Sequence, residues 1–272
     1  MTRLGRAAYA SLVLVRILAG ALTALLLFGP VPTALADPNA LWTIVHDQCV
    51  PDEYARGNPA PCALVDVAVS ERDGYAVLKD LVGATQYLLI PTERISGIES
   101  PELLDADAPN YFAAAWRART FVEQRAGRAL PRDWISLAIN SAASRSQNQL
   151  HVHVDCVRAD VRAALARHVG GLGPGWTPFP EPLAGHRYLA TTVPSDDLDG
   201  VSPFHLLADG VEGARADMGL QTLVAVGWYL ADGRPGFVLL TDRADPAAGN
   251  RASGEQLQDH FACPPPSWQL GK

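Results

Sequence analysis

The chain has 272 residues, a formal net charge of −7 and 48% hydrophobic residues, enough apolar material for the core of one large domain or two small ones. Its 29 Asp and Glu outweigh 22 Lys and Arg, and setting aside the three arginines of the first 36 residues leaves −10 on the remainder, which excludes a general nucleic-acid binder.

Those first 36 residues stand apart. Arg3, Arg6 and Arg16, with no acidic residue among them, precede an uncharged apolar run from Ile17 to Phe28, then Gly29, Pro30, Pro32 and the small residues Ala34-Leu35-Ala36. The pattern predicts a signal peptide or a membrane anchor over residues 1–36. Ile17 to Phe28 is short for a spanning helix, whereas Ile17 to Ala36 is of marginal spanning length. Either way the body from residue 37 is expected outside the cytoplasm, at the cell membrane if the segment is retained.

Cys49, Cys62, Cys156 and Cys263 all fall in that body. An even count in an oxidising compartment favours two disulfides and leaves three pairings open. Cys49 with Cys62 would close a short loop containing Pro51, Pro59 and Pro61, and Cys156 with Cys263 would tie the C-terminal tail to the back of the strand ending at Cys156. Zinc is the weaker use, because no two cysteines are close enough for a metal knuckle.

In chain order, a short helix is expected over 38–48 and an irregular stapled loop over 51–63. A hairpin follows, with strands 74–79 and 86–91 around Asp80-Leu81-Val82-Gly83. Residues 92–100 read as a loop, 110–126 as an amphipathic helix with Phe112, Trp116 and Val122 facing the core, and 134–139 as a strand. After the polar loop 141–148 comes Gln149-Leu150-His151-Val152-His153-Val154-Asp155-Cys156, whose period of two predicts a half-buried strand carrying Gln149, His151, His153 and Asp155 on one face. Residues 158–168 have helical spacing. The Gly- and Pro-rich stretch 170–182 marks a linker or boundary. Beyond it, strands over 188–193, 221–230 and 236–240 and a helix over 203–218 form a smaller set, compatible with a diverged half that completes one sheet. No repeat is visible in the sequence.

Two imidazoles on one face support three chemistries. One can attack phosphorus while the other donates a hydrogen bond to the oxygen that gains charge. Both can bind a metal, and His151-Val-His153-Val-Asp155 matches the H-x-H-x-D opening of metallo-β-lactamase-type hydrolases, although Cys156 stands where that pattern continues with histidine. One can act as a base for water. Asn140, Ser141, Ser144, Arg145, Ser146, Gln147 and Asn148 add donors suited to an anionic diphosphate. The plainer alternative is a polar surface loop beside two structural histidines. His46, His168, His186, His205 and His260 lack paired spacing and read as structural or surface groups.

The alternating strand resembles the histidine triad superfamily. Gly74-Tyr75-Ala76-Val77-Leu78-Lys79-Asp80-Leu81, Gln86-Tyr87-Leu88-Leu89-Ile90-Pro91-Thr92, Ser136-Leu137-Ala138-Ile139-Asn140-Ser141 and Arg145-Ser146-Gln147-Asn148 before the strand resemble, more closely, the bacterial CDP-diacylglycerol pyrophosphatases, over most of residues 40–262. The resemblance implies an α+β fold, a HIT-like antiparallel sheet with flanking helices and a C-terminal extension able to complete the sheet, with residues 37–272 as the catalytic domain. It implies hydrolysis of CDP-diacylglycerol to CMP and phosphatidate in phospholipid metabolism, through a nucleotidyl-histidine intermediate and without a cofactor or metal.

By position His151 is the nucleophile and His153 the third histidine of the triad. Gln149 stands where the pattern has the first histidine; glutamine keeps a hydrogen bond but carries no charge. Asn140, Arg145 and Asn148 are expected to hold phosphate oxygens, with Lys79 a further candidate. The expected partners are the lipid-nucleotide substrate and a membrane surface, with no nucleic acid and no obligate protein partner. An acidic body needs a local basic patch to approach anionic lipid, and Arg94, Arg145, Arg158, Arg162 and Arg167 are offered for it. The competing readings are a non-catalytic exported nucleotide- or lipid-binding module, and a metal-dependent hydrolase built on His151, His153 and Asp155. Superfamily members often pair their sheets across a dimer, and a second half within this chain would make that pairing internal.

Overall fold

In the computed structural model, which describes residues 37–263, nine strands among the described residues join in one antiparallel sheet. They are β1 (Leu64–Asp66), β2 (Tyr75–Lys79), β3 (Tyr87–Pro91), β4 (Ile135–Ile139), β5 (Val152–Cys156), β6 (Thr177–Pro178), β7 (Leu189–Val193), β8 (Leu223–Tyr229) and β9 (Pro235–Thr241). Their spatial order is β1-β2-β3-β5-β4-β8-β9-β7-β6. The helices are α1 (Ala40–Ile44), α2 (Val50–Arg56), α3 (Tyr111–Ala126), α4 (Ala159–His168) and α5 (Pro203–Gly210). The expected signal or anchor over 1–36 lies outside the described residues, and among the described residues no helix is long and apolar enough to cross a membrane.

A repeat invisible in the sequence is plain in the topology. The run β2, β3, α3, β4, β5 has the same order of elements as β6, β7, α5, β8, β9, and each quartet of strands is arranged alike, as β2-β3-β5-β4 and β6-β7-β9-β8. The halves meet where β4 pairs β8, with Ser136 opposite Val226 and Ile139 opposite Leu223. Residues 170–182 are therefore a crossing between halves of one sheet and not a domain boundary.

One face of the sheet is covered by α3, which packs on β3, β4 and β5. Asn110 caps its start by accepting from Ala113 N, and Gly127 ends it in the left-handed region at φ 71°. Trp116 meets Phe237 edge to face at 4.7 Å, and Phe112 meets Phe204 at 5.3 Å. This contact requires glycine beneath it, since a Cβ on Gly227 would stand 2.5 Å from the Trp116 ring.

The other face carries His153. Residues opposite one another across a ladder share a face, and His153 lies opposite Leu88, which lies opposite Leu78. Leu78, Leu88, Ala76 and Ile90 pack under Leu41, Val45, Cys49 and Val50 of the N-terminal helical segment. Cys49–Cys62 and Cys156–Cys263 are both disulfide-bonded.

Three boundaries differ from expectation. Helix continues through a π turn, Val45–Cys49, into α2, so residues 50–56 are helical where a loop was expected. Pro51 follows the π turn directly, at the second residue of α2. The helix expected over 203–218 stops at Gly210, against which Trp176 packs so closely that a Cβ would lie 2.6 Å from the indole. The ladder of β5 begins at Val152, and all five of its residues are buried, so the polar face is not solvated.

Candidate active site

His151 is the last residue before β5, in extended chain held by the bond from Leu150 N to Ile95 O (2.6 Å). Its Nδ1 lies 2.7 Å from the backbone oxygen of Gln149. A carbonyl only accepts, so Nδ1 carries the proton and Nε2 presents a lone pair. Burial holds the imidazole below its ordinary pKa and outweighs the opposing bond to Gln149 O.

His153 packs against it with ring centroids 4.8 Å apart and planes at 67°. Here the tautomer is the opposite one. Gln86 Nε2 donates to His153 Nδ1 (2.5 Å), while Gln86 Oε1 accepts from His260 Nδ1 (2.8 Å). In neutral His153 the proton therefore sits on Nε2, which is buried, 3.2 Å from Glu255 Oε2 and not aligned to bond it. Burial, then the neighbouring His151 and His260, drive its pKa well below the ordinary value. The pair thus offers one bare nitrogen and one N–H.

The remaining residues singled out in the sequence divide into two groups. Arg145 is close enough to His151 to lower its pKa, and its Nη1 donates to Glu99 Oε2 at 2.6 Å. That pose needs Gly97, since a Cβ there would lie 2.3 Å from Nη1. Asn140 Oδ1 accepts from Ser253 Oγ and Glu255 N, both at 3.2 Å, fastening the tail loop that brings Glu255 to His153.

Gln149 faces inward but works as a strut. Its amide donates to Pro91 O (3.1 Å) and Glu93 O (2.8 Å), and its Oε1 is buried without a partner. Lys79 Nζ donates to the turn carbonyls of Asp80 (2.7 Å) and Gly83 (2.8 Å). Asn148 is exposed and bonds through its backbone N to Pro38 O.

Asp155 shares the histidine face farther along β5. Its Oδ1 accepts from Thr85 Oγ1 at 2.7 Å, its Oδ2 is buried without a partner, and burial pushes its pKa up to about 7. Among the described residues no three His, Cys, Asp or Glu side chains are placed to hold a metal ion.

Sequence reasoning missed Gln86, Asp80, Glu255 and Gln258, and read His260 as structural or surface. Asp80 Oδ2 lies 3.9 Å from His153 Nδ1, and Gln258 Nε2 donates to His153 O at 3.1 Å. These residues are about 70 to 105 positions from His153, and no local pattern marks them. The one signal was Cys263, whose bond to Cys156 draws residues 254–263 along β5.

The five arginines offered as a basic patch are engaged elsewhere. Arg145 pairs with Glu99, Arg158 with Asp160, Arg162 with Asp133 and Arg167 with Glu181, while Arg94 bonds Asn39 and lies over Trp42. A cavity of about 640 Å³, lined by Glu99, Leu104, Ala142, Arg215, Met218 and Leu220 among others, adjoins the Arg145–Glu99 pair, and neither histidine lines it.

Comparison with known proteins narrows the chemistry. A family model described as CDP-diacylglycerol pyrophosphatase matches residues 36–264. The CDP-diacylglycerol pyrophosphatase of Yersinia pestis is 44% identical over 225 residues, which are 83% of this chain and 84% of that one.

Proposed function

Because the chain belongs to the CDP-diacylglycerol pyrophosphatase family and is thus a hydrolase acting on a diphosphate bond, we propose that His151 is its nucleophile and that the reaction passes through a nucleotidyl-histidine. The observation that supports this is the His151 Nδ1 to Gln149 O bond of 2.7 Å, which leaves Nε2 bare at the buried end of the polar loop.

In this scheme Nε2 of neutral His151 attacks the phosphorus of the CMP moiety. The bond from that phosphorus to the bridging oxygen breaks, and phosphatidate leaves with the electron pair. The imidazole becomes cationic as the P–N bond forms, and the Gln149 carbonyl, already accepting from Nδ1, stabilises that charge. The N–H on His153 Nε2 donates to a phosphoryl oxygen, and Arg145, Asn140 and Asn148 hold the others. Water then attacks the phosphorus, CMP leaves with the water oxygen, and His151 returns neutral after the released proton passes to solvent. The scheme requires no metal ion.

Gln149 keeps the place of the first triad histidine as a scaffold for the loop at Pro91 and Glu93. The histidine-triad kinship is supported by the alternating strand and by the two same-face imidazoles of complementary tautomer. Residues 37–272 form the catalytic domain, following an export signal or anchor, and act outside the cytoplasm on a lipid surface. The two disulfides support that location.

The test is CMP release from CDP-diacylglycerol by the detergent-solubilised full chain, with and without a chelator, beside His151→Ala, and mass spectrometry of enzyme quenched and digested at alkaline pH, where a P–N bond to histidine survives. Chelator-resistant release, lost in the variant, with a CMP adduct on the peptide containing His151, is the expected result. Release retained by His151→Ala, or abolished by the chelator, overturns the assignment.

A further inference from the structure

The β2–β3 turn and the tail segment 259–262 are joined by a bond from Ala84 N to His260 O (3.1 Å). Each presents large apolar side chains to water: Leu81 is fully exposed, Val82 is 62% exposed and Phe261 is 93% exposed. Single exposed apolar residues are ordinary on any surface, but these three lie on two touching segments. Both tips are also held in place. Asp80 Oδ1 accepts from Val82 N (3.1 Å), and Asp259 Oδ1 accepts from Phe261 N (2.9 Å) and Ala262 N (3.1 Å). Gly83 turns the hairpin at φ +80°, where a side chain would be strained. Two residues after Phe261 the Cys156–Cys263 disulfide pins the tail to β5.

Two cations sit at the base of this tip. Lys79 Nζ is bound by the carbonyls of Asp80 and Gly83, and Arg125 Nε donates to Ala84 O at 3.3 Å. The tip also abuts the histidines, through Asp80, 3.9 Å from His153 Nδ1, and through the His260–Gln86–His153 chain.

We infer that Leu81, Val82 and Phe261 insert into the lipid–water interface that holds the substrate, with Lys79 and Arg125 against anionic headgroups. This rests on the reading of the substrate as CDP-diacylglycerol. Its diphosphate lies at headgroup depth, and drawing both acyl chains into water would be costly, so the site must come to the surface. The chain is acidic overall, at −7, and four of the five arginines are paired with carboxylates, so adhesion needs a local apolar element with its own cations. The tip supplies both, beside the reacting groups.

Two measurements on the full chain test this. In the first, Phe261→Trp is mixed with phosphatidylcholine–phosphatidylglycerol vesicles carrying brominated acyl chains. Quenching beyond that of the parent protein is expected, and quenching equal to the parent's overturns the inference. This readout needs no turnover, so it stands even if the assigned reaction fails.

In the second, Leu81→Ser/Val82→Ser/Phe261→Ser is assayed with CDP-diacylglycerol diluted into detergent micelles. The interfacial KM is expected to rise about tenfold, equivalent to about 1.4 kcal/mol, with kcat unchanged. A fall in kcat at constant KM, unchanged kinetics, or conversion of a dimer to a monomer would overturn the inference, the last by showing a second copy as the occupant.

Discussion

His151 donates from Nδ1 to the carbonyl oxygen of Gln149, two residues earlier, at 2.7 Å. The bond fixes the tautomer by backbone geometry alone, so the reactive nitrogen is chosen by the chain's own path and not by a second ionisable side chain. Its neighbour His153 is fixed in the opposite tautomer by Gln86.

A pH profile follows from this. The nucleophile acts as neutral imidazole, and burial lowers its pKa from the ordinary 6.5. Protonation then removes activity only below that value, and the acid limb of kcat/KM is expected below pH 6.5. A limb centred at or above 6.5 would show that the titrating group is not a buried His151.

Gln149 is expected to act through structure. Gln149→Ala leaves the carbonyls of Pro91 and Glu93 unpaired and should cost about 1–3 kcal/mol. Gln149→Glu, which turns a carboxylate toward the same two acceptors, should cost more. Urea unfolding of both variants checks the order, and equal stability of Gln149→Glu and the parent would contradict the strut.

The chain His260–Gln86–His153 sets where the His153 proton sits. Gln86→Leu removes the donor to Nδ1, and kcat should fall by about tenfold to a hundredfold with little change in KM, no more than the low end of what a positioned acid contributes, because His153 itself remains. His260→Ala should give a smaller loss, and the two losses should not add, because they lie on one path. Additive losses would refute the coupling.

Asp155 is a burden at high pH. Its folded pKa of about 7 stands above the ordinary 3.8, so between those values the folded state holds the extra proton and stability falls as pH rises. The gap of about three units corresponds to about 4 kcal/mol at most. Asp155→Asn keeps an acceptor for Thr85 and removes the charge. Its gain in Tm over the parent should be larger at pH 8 than at pH 5, and a difference that does not change with pH would contradict the assignment.

The bond between Cys156 and Cys263 closes a separation of 107 residues. Chain-entropy reasoning gives about 4–5 kcal/mol for a loop of that size. Cys263→Ala should lower stability toward that extent and also reduce kcat, because Glu255, Gln258 and His260 approach His153 on the tail it anchors. Full stability and activity without the bond would leave the tail no positioning role.

Much of this molecule is written locally. The period-two pattern placed β5 with His153 in it and His151 just before it, Asp80 to Gly83 marked the hairpin, and the apolar spacing over 110–126 predicted α3, because strand alternation, turn conformation and helical period each depend on residues a few positions apart. The even cysteine count, together with an export-like leader, anticipated two disulfides from composition and compartment. The collinear runs around Lys79, Asn140 and the histidine strand carried the family, and the comparisons agree.

What only the tertiary structure decided is everything that joins distant segments. The two halves share a topology while their sequences show no repeat, because a fold constrains burial and strand order more than residue identity. Lys79 and the five arginines were legible as charges, yet their carbonyl and carboxylate partners were not, so the basic patch dissolved into separate pairs. The tautomers of His151 and His153, the strut role of Gln149, and the approach of Glu255 and His260 depend on which group lies within about 3 Å. Distances of that kind are fixed by packing across the sheet, and the sequence around each residue holds no record of them.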